Sequence, residues 1–299
     1  MRPCVQKQRG GRPAKLSAVD KRKLIRLVTS GAADTAVQLQ NELRNTIQIQ
    51  ISAQTLRNAL KEEGMKSAVK QKKPLLKASH IKQRHSFAVK YQYWTEDDWK
   101  RVIFSDETKI NRLGSDGRKW VWKRSSGSSS GILPQHVSKT VKHGGGSLMI
   151  WGCMTAHGVG WMCRIDGGMD ATLYTSILDD YVFTTVDHFG MGRDDFVFQQ
   201  DNDPKHTSKL AREWFDKHSV ELLDWPAQSP DLNPIEHLWQ HLKRKLANYE
   251  KHPTSMHELW QRVQTEWEKI DKDICVKLIE SMPKRVAAAL KAEGGYTRY

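Results

Sequence analysis

What this chain has little of narrows its class first. Four cysteines (Cys4, Cys153, Cys163, Cys275) in 299 residues, at wide spacings, make neither a disulfide framework nor a CxxC zinc site. No apolar run approaches the ~18 residues of a spanning helix, so no membrane partner is expected. The opening Met1-Arg2-Pro3-Cys4-Val5-Gln6 lacks the apolar stretch of a secretory signal. Together these absences point to a soluble intracellular protein with reduced thiols. Acidic residues are scarce in one place: residues 1–90 hold 5 Asp+Glu against 20 Lys+Arg, a net of +15. The remaining 209 residues hold 29 against 28, a net of −1, so the first third carries the whole excess of +14. A neutral body behind a basic head suggests an anionic polymer bound at the head, driven by counterion release. A solvated basic tail is the competing explanation. What is present, 38% hydrophobic residues and 11 Trp, suffices for a sizeable core. The length suggests roughly two domains.

The head divides into a basic leader (1–16), a helical module (17–66) and a basic linker (67–97). The leader contains Arg9-Gly10-Gly11-Arg12-Pro13. A Gly-Arg-Pro core can lie in a narrow A·T minor groove with Arg9 and Arg12 as the contacts, although a flexible basic leader reads the same way. Three short helical patterns follow. Ser17 is a plausible N-cap for 18–30, with Leu24, Ile25 and Val28 as its apolar stripe. Asp34 or Thr35 would cap a segment through Leu43 that uses Val37, Leu39 and Leu43. Ser52 would cap 53–63, with Leu56 and Leu60 turned inward and Gly64 as the stop. Three helices with short connections match a helix-turn-helix module. The last would enter the major groove with Gln54, Thr55, Arg57 and Asn58, where Arg reads guanine and Asn or Gln reads adenine. An ordinary three-helix bundle with a polar face is the alternative. In the linker, Lys70-Gln71-Lys72-Lys73-Pro74 and Lys77 through Arg84 read as phosphate contacts, Lys72 and Lys73 among them, and also as a nuclear import signal; a plain solvated linker is the competing explanation.

From residue 98 the pattern becomes mixed α/β. Arg101–Ser105 is a buried-strand pattern that ends on Asp106, and Lys119–Lys123 alternates as a second strand. Ser147–Met154 is a third. A helix is expected over 171–187, a fourth strand at Phe196–Gln200 ending on Asp201, and a helix over 207–217. Val220–Leu223 gives a fifth strand, and a Pro-rich turn leads into a helix opening at Ile235-Glu236. Two helices are expected over 254–292. This order predicts a mixed central sheet flanked by helices. Carboxylates after two strands and in the first turn of a helix can converge at one sheet edge. A set of Asp and Glu without Cys suits hard, oxygen-seeking Mg²⁺, with Mn²⁺ as a substitute.

Three segments carry a resemblance. They are Phe104-Ser105-Asp106-Glu107-Thr108-Lys109, Gln200-Asp201-Asn202-Asp203-Pro204-Lys205-His206-Thr207, and the run from Trp225-Pro226 through Ser229-Pro230-Asp231-Leu232-Asn233-Pro234-Ile235-Glu236-His237-Leu238-Trp239. In order and spacing, with 34 residues between Asp201 and Glu236, they closely resemble the catalytic blocks of Tc/mariner cut-and-paste DNA transposases. They look near to the branch that includes the Sleeping Beauty transposase. The resemblance implies a ribonuclease H-like catalytic domain over 98–299, with Asp106, Asp201 and Glu236 as a metal-binding DDE triad. It implies two Mg²⁺ ions, transposon terminal inverted repeats and a TA target as double-stranded DNA partners, a homodimer and a nuclear location. It also identifies 124–147 as a clamp-loop insertion, whose end brings Lys142 and His143 towards DNA. The Ser125–Gly131 run departs from the family pattern, as does the presence of one recognisable helix-turn-helix where the family has two.

The remaining candidates read as structure. His237 and His241, four apart on one helix, have no evident third ligand and make a helix face. Glu107, Asp203 and Asp231 read as caps outside the ligand set. His206 and Asn202 could touch DNA, steady a carboxylate or make structural hydrogen bonds. Tryptophans 94, 99, 214, 239, 260 and 267 read as core. Two other functions stay open: a host-adopted DNA-binding protein without transposition, and a nuclease that cuts without joining.

Overall fold

The structure is a computed structural model that describes residues 15–47, 50–67, 73–113 and 145–299. The leader with Arg9 and Arg12, the linker residue Lys72, the strand expected at Lys119–Lys123, and Lys142 and His143 of the clamp-loop insertion lie outside the described residues. The chain divides into two compact units, 1–73 and 74–299.

The first unit holds three helices, α1 (Ala18–Thr29), α2 (Ala36–Ile47) and α3 (Ala53–Glu62). Ser17 Oγ accepts from the Asp20 amide and the Asp20 carboxylate accepts from the Ser17 amide, so a reciprocal capping box starts α1. Ser52 caps α3 through the Thr55 amide. Leu16, Leu24, Leu39, Leu43, Ile51 and Leu56 form the small core. Val37, assigned above to the apolar face of α2, is 52% exposed; Leu39 and Leu43, four apart, carry that face without it.

The second unit begins earlier than the sequence suggested. Residues 78–91 form a helix, α4 (Ala78–Tyr91), whose Phe87, Ala88 and Tyr91 join the main core, followed by α5 (Glu96–Lys100) carrying the fully buried Trp99. Most of the segment read as a linker is therefore structural, and its Lys77, Lys82, Arg84 and Lys90 belong to this unit. Residues 1–73 keep 16 Lys+Arg against 5 Asp+Glu, a net of +11, and 74–299 have 32 against 29, a net of +3.

Five strands follow: β1 (Val102–Asn111), β2 (Ser147–Thr155), β3 (Gly158–Ile165), β4 (Val197–Gln199) and β5 (Glu221–Leu222), in the order β3-β2-β1-β4-β5. The first three are antiparallel, whereas β1–β4 and β4–β5 are parallel. One sheet face packs on α4, α5, α9 (Ile235–Ala247), α10 (Met256–Glu268), α11 (Lys272–Ile279) and α12 (Met282–Lys291). The other packs on α6 (Ala171–Ile177), a π-helical turn (Leu178–Val182), α7 (Phe183–His188) and α8 (Lys209–Lys217). The 254–292 segment thus makes three helices instead of two, and the single helix expected at 171–187 is broken by the π turn. No helix among the described residues is long and apolar enough to cross a membrane.

Two strands differ from expectation for physical reasons. β1 does not end on Asp106: buried Thr108 and Ile110 alternate with exposed Lys109 and Asn111, and β2 pairs with the strand as far as Asn111. β3 was not among the expected strands; it carries two glycines, Gly158 and Gly160, and glycine weakens a strand pattern. A Cβ on Gly160 would stand 2.5 Å from Cys153 Sγ and 2.7 Å from a Thr185 methyl, so the bare backbone is what lets β3 lie against these side chains.

Candidate active site

The fold brings the three carboxylates of the expected triad to one place: Asp106 from within β1, Asp201 from just beyond β4 and Glu236 from the first turn of α9. On the parallel pair β1–β4, Phe104 is opposite Gln199, and Asp106 and Asp201 each follow two residues later. Adjacent strands lie about 4.8 Å apart, so this register carries both carboxylates out side by side. Ser105 locks the register. Its amide donates to Gln199 Oε1 (3.1 Å) and its hydroxyl to the Gln199 carbonyl (2.8 Å), and all of these groups are buried. Glu236 arrives on the opening turn of α9. Asn233, also buried, donates through Nδ2 to the Ser105 carbonyl (3.3 Å) and accepts the Ile235 amide on Oδ1 (3.3 Å). One side chain therefore starts the helix and ties it to the peptide just before Asp106.

Electrostatics follow from this convergence. Burial pushes the Asp106 carboxyl well above the usual range, and the charges of Glu236, Glu107 and Asp201 push it further, against a 2.7 Å hydrogen bond from the Glu107 amide. Burial likewise raises Glu236, with Lys243 opposing. At Asp201 burial also pushes upwards, but His206 and the Asp203 amide outweigh it and hold the carboxyl below its ordinary value. His206 is the counter-charge. Burial works against its protonation, yet contacts to Asp201 (Nδ1–Oδ1, 2.6 Å) and Glu107 (Nε2–Oε1, 3.1 Å) raise it to about 9. Gln200 fixes the imidazole's backbone by donating to the His206 carbonyl (3.0 Å), and the Tyr174 ring packs 4.1 Å from the imidazole.

The donor set suits a hard divalent cation. Asp106 and Glu236 offer only oxygen, and burying carboxylates close to one another is favourable when a cation neutralises them. As they stand, no group of three His, Cys, Asp or Glu side chains among the described residues is drawn in tightly enough to hold an ion, and one Asp201 oxygen is engaged by His206.

The neighbours expected to be structural have partners. Glu107 lies against His206 and Lys205, and Asp203 pairs with Lys205 at 2.7 Å. Asn202 donates to the Trp225 carbonyl (2.7 Å), and His237 Nδ1 meets Arg285 Nη2 (2.7 Å). Asp231 is the hub of an ion-pair network that sequence reasoning missed. The fully buried Arg84 of α4 grips it with two nitrogens (2.7 and 2.8 Å) while donating to the carbonyls of Gly294 and Gly295. Thr297 Oγ1 adds a third donor (2.7 Å), and Arg285 donates to the Asp231 carbonyl (2.8 Å). Ser105, Gln199 and Asn233 were missed as well; the one signal for Ser105 and Gln199 was a polar residue directly after an apolar run, and Asn233 had none.

On α3, Gln54, Arg57 and Asn58 are exposed and hydrogen-bonded in series: Gln54 donates to Asn58 (3.0 Å), and Arg57 donates to Gln54 (3.3 Å). Thr55 is half-buried with its hydroxyl 2.9 Å from that of Ser52. Lys73 is the last residue of this unit.

Comparison with known proteins matches the same two regions. Residues 21–93 fit a family model described as a transposase helix-turn-helix, and 101–269 fit one described as a DDE superfamily endonuclease. The chain is 38% identical to the Tc1 transposable-element transposase of Caenorhabditis elegans over 93% of its own length and 99% of the relative's. It is 33% identical to the Tc3 transposase of the same organism, over 98% and 84% of the two chains. Among solved structures, the Mos1 mariner paired-end complex with Mg superposes with a TM-score of 0.79 at 20% identity, over 98% of this chain and 83% of that one. The isolated Mos1 catalytic domain gives 0.58 at 17%, over 75% and 100%. The fold is that of a helix-turn-helix domain followed by a ribonuclease H-like domain, and with the DDE model covering more than half its length and the Tc1 transposase 38% identical over 93% of it, the chain belongs to the Tc/mariner family of metal-dependent DDE DNA transposases.

Proposed function

We propose that this transposase binds transposon terminal inverted repeats, hydrolyses DNA strands at those ends and joins the freed 3′-hydroxyls to target DNA at TA. The observation that carries the reading is the convergence of Asp106, Asp201 and Glu236, with Asn233 and Ser105 tying their three elements together. Asp106, Asp201 and Glu236 are the residues to hold Mg²⁺, or Mn²⁺ in its place. When bound, such ions activate water and stabilise the leaving oxygen of a phosphodiester. His206 orients Asp201, and its charge, shared between Asp201 and Glu107, offsets part of the repulsion among the carboxylates. No side chain need form a covalent bond to DNA, since water and then the 3′-hydroxyl serve as nucleophiles.

Gln54, Thr55, Arg57 and Asn58 on α3 are assigned to base edges, and Lys73, with Lys72, Arg9, Arg12, Lys142 and His143, to phosphates or the minor groove. The net +11 of residues 1–73 supports that division of labour. The Mos1 complex with Mg pairs two ends, which favours a homodimer for this chain too, and a chromosomal substrate favours the nucleus.

The test is strand transfer in Mg²⁺ or Mn²⁺, with a pre-cleaved duplex from the inverted repeats flanking the gene and a TA-containing plasmid. Joined product that disappears in Asp201→Ala supports the reading. Tight end binding with no joining in either metal would favour a host-adopted DNA-binding protein instead.

A further inference from the structure

A groove of about 730 Å³ opens between α4 and α8 and reaches Asp201 at one end. Its floor is the sheet edge. β5, the outer strand, is two residues long, and Leu222 and Leu223 line the groove beneath the helices. Lys82, Ser86 and Lys90 line one wall and stand four residues apart, so they form a single stripe along α4. Arg212 of α8 and Thr207 line the other wall. Lys90 is already paired with Asp224. Lys82 and Arg212 are exposed and have no acidic partner among the described residues; Arg212 makes only a 3.4 Å hydrogen bond to the Ser208 carbonyl.

Two unpaired cations facing each other across an apolar floor, with hydroxyls beside them, match a chain of phosphates joined by sugars. The groove is open to solvent along one side, and its volume of about 730 Å³ is enough for a few nucleotides of one strand. Charge on both walls and continuity with a catalytic carboxylate distinguish this groove from a general basic surface.

We propose that this groove binds the sugar-phosphate backbone of a single DNA strand where it runs past the scissile phosphate, with Lys82 and Arg212 as its phosphate contacts. The inference rests on the transposase reading for the identity of the strand. It adds a contact surface in the catalytic unit that adjoins Asp201 of the triad and lies outside the helix-turn-helix.

The test uses the full chain in EDTA, so that binding is read without cleavage. Two probes are compared: an inverted-repeat duplex ending at the scissile phosphate, and the same duplex with a short single-stranded extension beyond it. On single strands each phosphate contact contributes about 0.7 to the slope of log affinity against log salt. Lys82→Gln combined with Arg212→Gln should reduce that slope by about 1.4 on the extended probe and leave the blunt probe unchanged. Both side chains are exposed, so the variant should fold, and equal binding of the blunt probe is the internal control. An equal change on both probes, no change on either, or failure of the wild-type chain to bind the extended probe would overturn the proposal. A wild-type chain that shows the slope difference but cleaves in neither Mg²⁺ nor Mn²⁺ would retain the groove and lose the transposase mechanism.

Discussion

Replacing Arg84 tests the packing that carries Glu236 to its place. The guanidinium is 1% exposed, and the Asp231 side chain it grips is 10% exposed. Arg84→Ala removes both halves of a bidentate pair and the donors to two carbonyls, leaving a largely buried carboxylate with Thr297 as its remaining side-chain donor. Breaking a buried ion pair from one side costs about 3–5 kcal/mol, well beyond the ~1 kcal/mol ceiling of an exposed pair. Urea unfolding followed by tryptophan fluorescence reads this cleanly, because all 11 Trp lie in residues 74–299 and residues 1–73 contribute no signal. At about 3 kcal/mol per molar urea, the midpoint should fall by about 1–1.7 M. Arg84→Lys should recover only part of that, since an ammonium cannot reproduce the planar fork. Combined with Asp231→Asn, the loss should be smaller than the sum of the single losses. A loss below about 1 kcal/mol for Arg84→Ala would refute the reasoning and place Arg84 energetically with surface arginines.

The remaining predictions concern charge and shape around the same site. In EDTA at neutral pH, Asp106→Asn should raise the melting temperature by about 2–4 °C per kcal/mol recovered, because it removes an acid whose ionisation is opposed by burial and by three neighbouring carboxylates; a lower value would contradict that crowding. Asp231 has a depressed folded pKa, so its stabilisation is present above its unfolded value of about 3.9 and fades as pH falls through the folded one. Acid titrations of stability should therefore show a drop below about pH 4 that is shallower in Asp231→Asn. Gly152→Ala would place a Cβ 2.9 Å from the Trp239 ring and 3.3 Å from Met162 Cβ, which should cost about 1–3 kcal/mol by urea unfolding.

How much the sequence revealed depended on whether a feature is local. Capping at Ser17 and Ser52 was legible because cap and partner lie three residues apart. The convergence of Asp106, Asp201 and Glu236 was legible through three long motifs in a fixed order. The groups that hold those carboxylates were not. Asn233 reaches Ser105 across 128 residues and Arg84 reaches Asp231 across 147, and no periodicity signals a buried polar side chain whose partner is that remote. Arg84 was hidden twice, because its setting among Lys77, Lys82 and Lys90 made α4 look like a solvated linker. Phe87, Ala88 and Tyr91 on the same helix were the counter-signal, an apolar face that belongs in a core. β3 was lost to its glycines: Gly158, at φ 141°, closes the two-residue turn from β2, and Gly160 serves close packing.

The account stands on metal-dependent strand cleavage by Asp106, Asp201 and Glu236. The most direct measurement is cleavage of a plasmid carrying both inverted repeats by the full chain in Mg²⁺ and in Mn²⁺. Wild type is compared with Asp106→Asn, Asp201→Asn and Glu236→Gln, with end binding measured in parallel. The account predicts cleavage by wild type in both metals and none by the three variants at undiminished end binding. Cleavage at the wild-type rate by any one variant, or none by wild type in either metal, would contradict it.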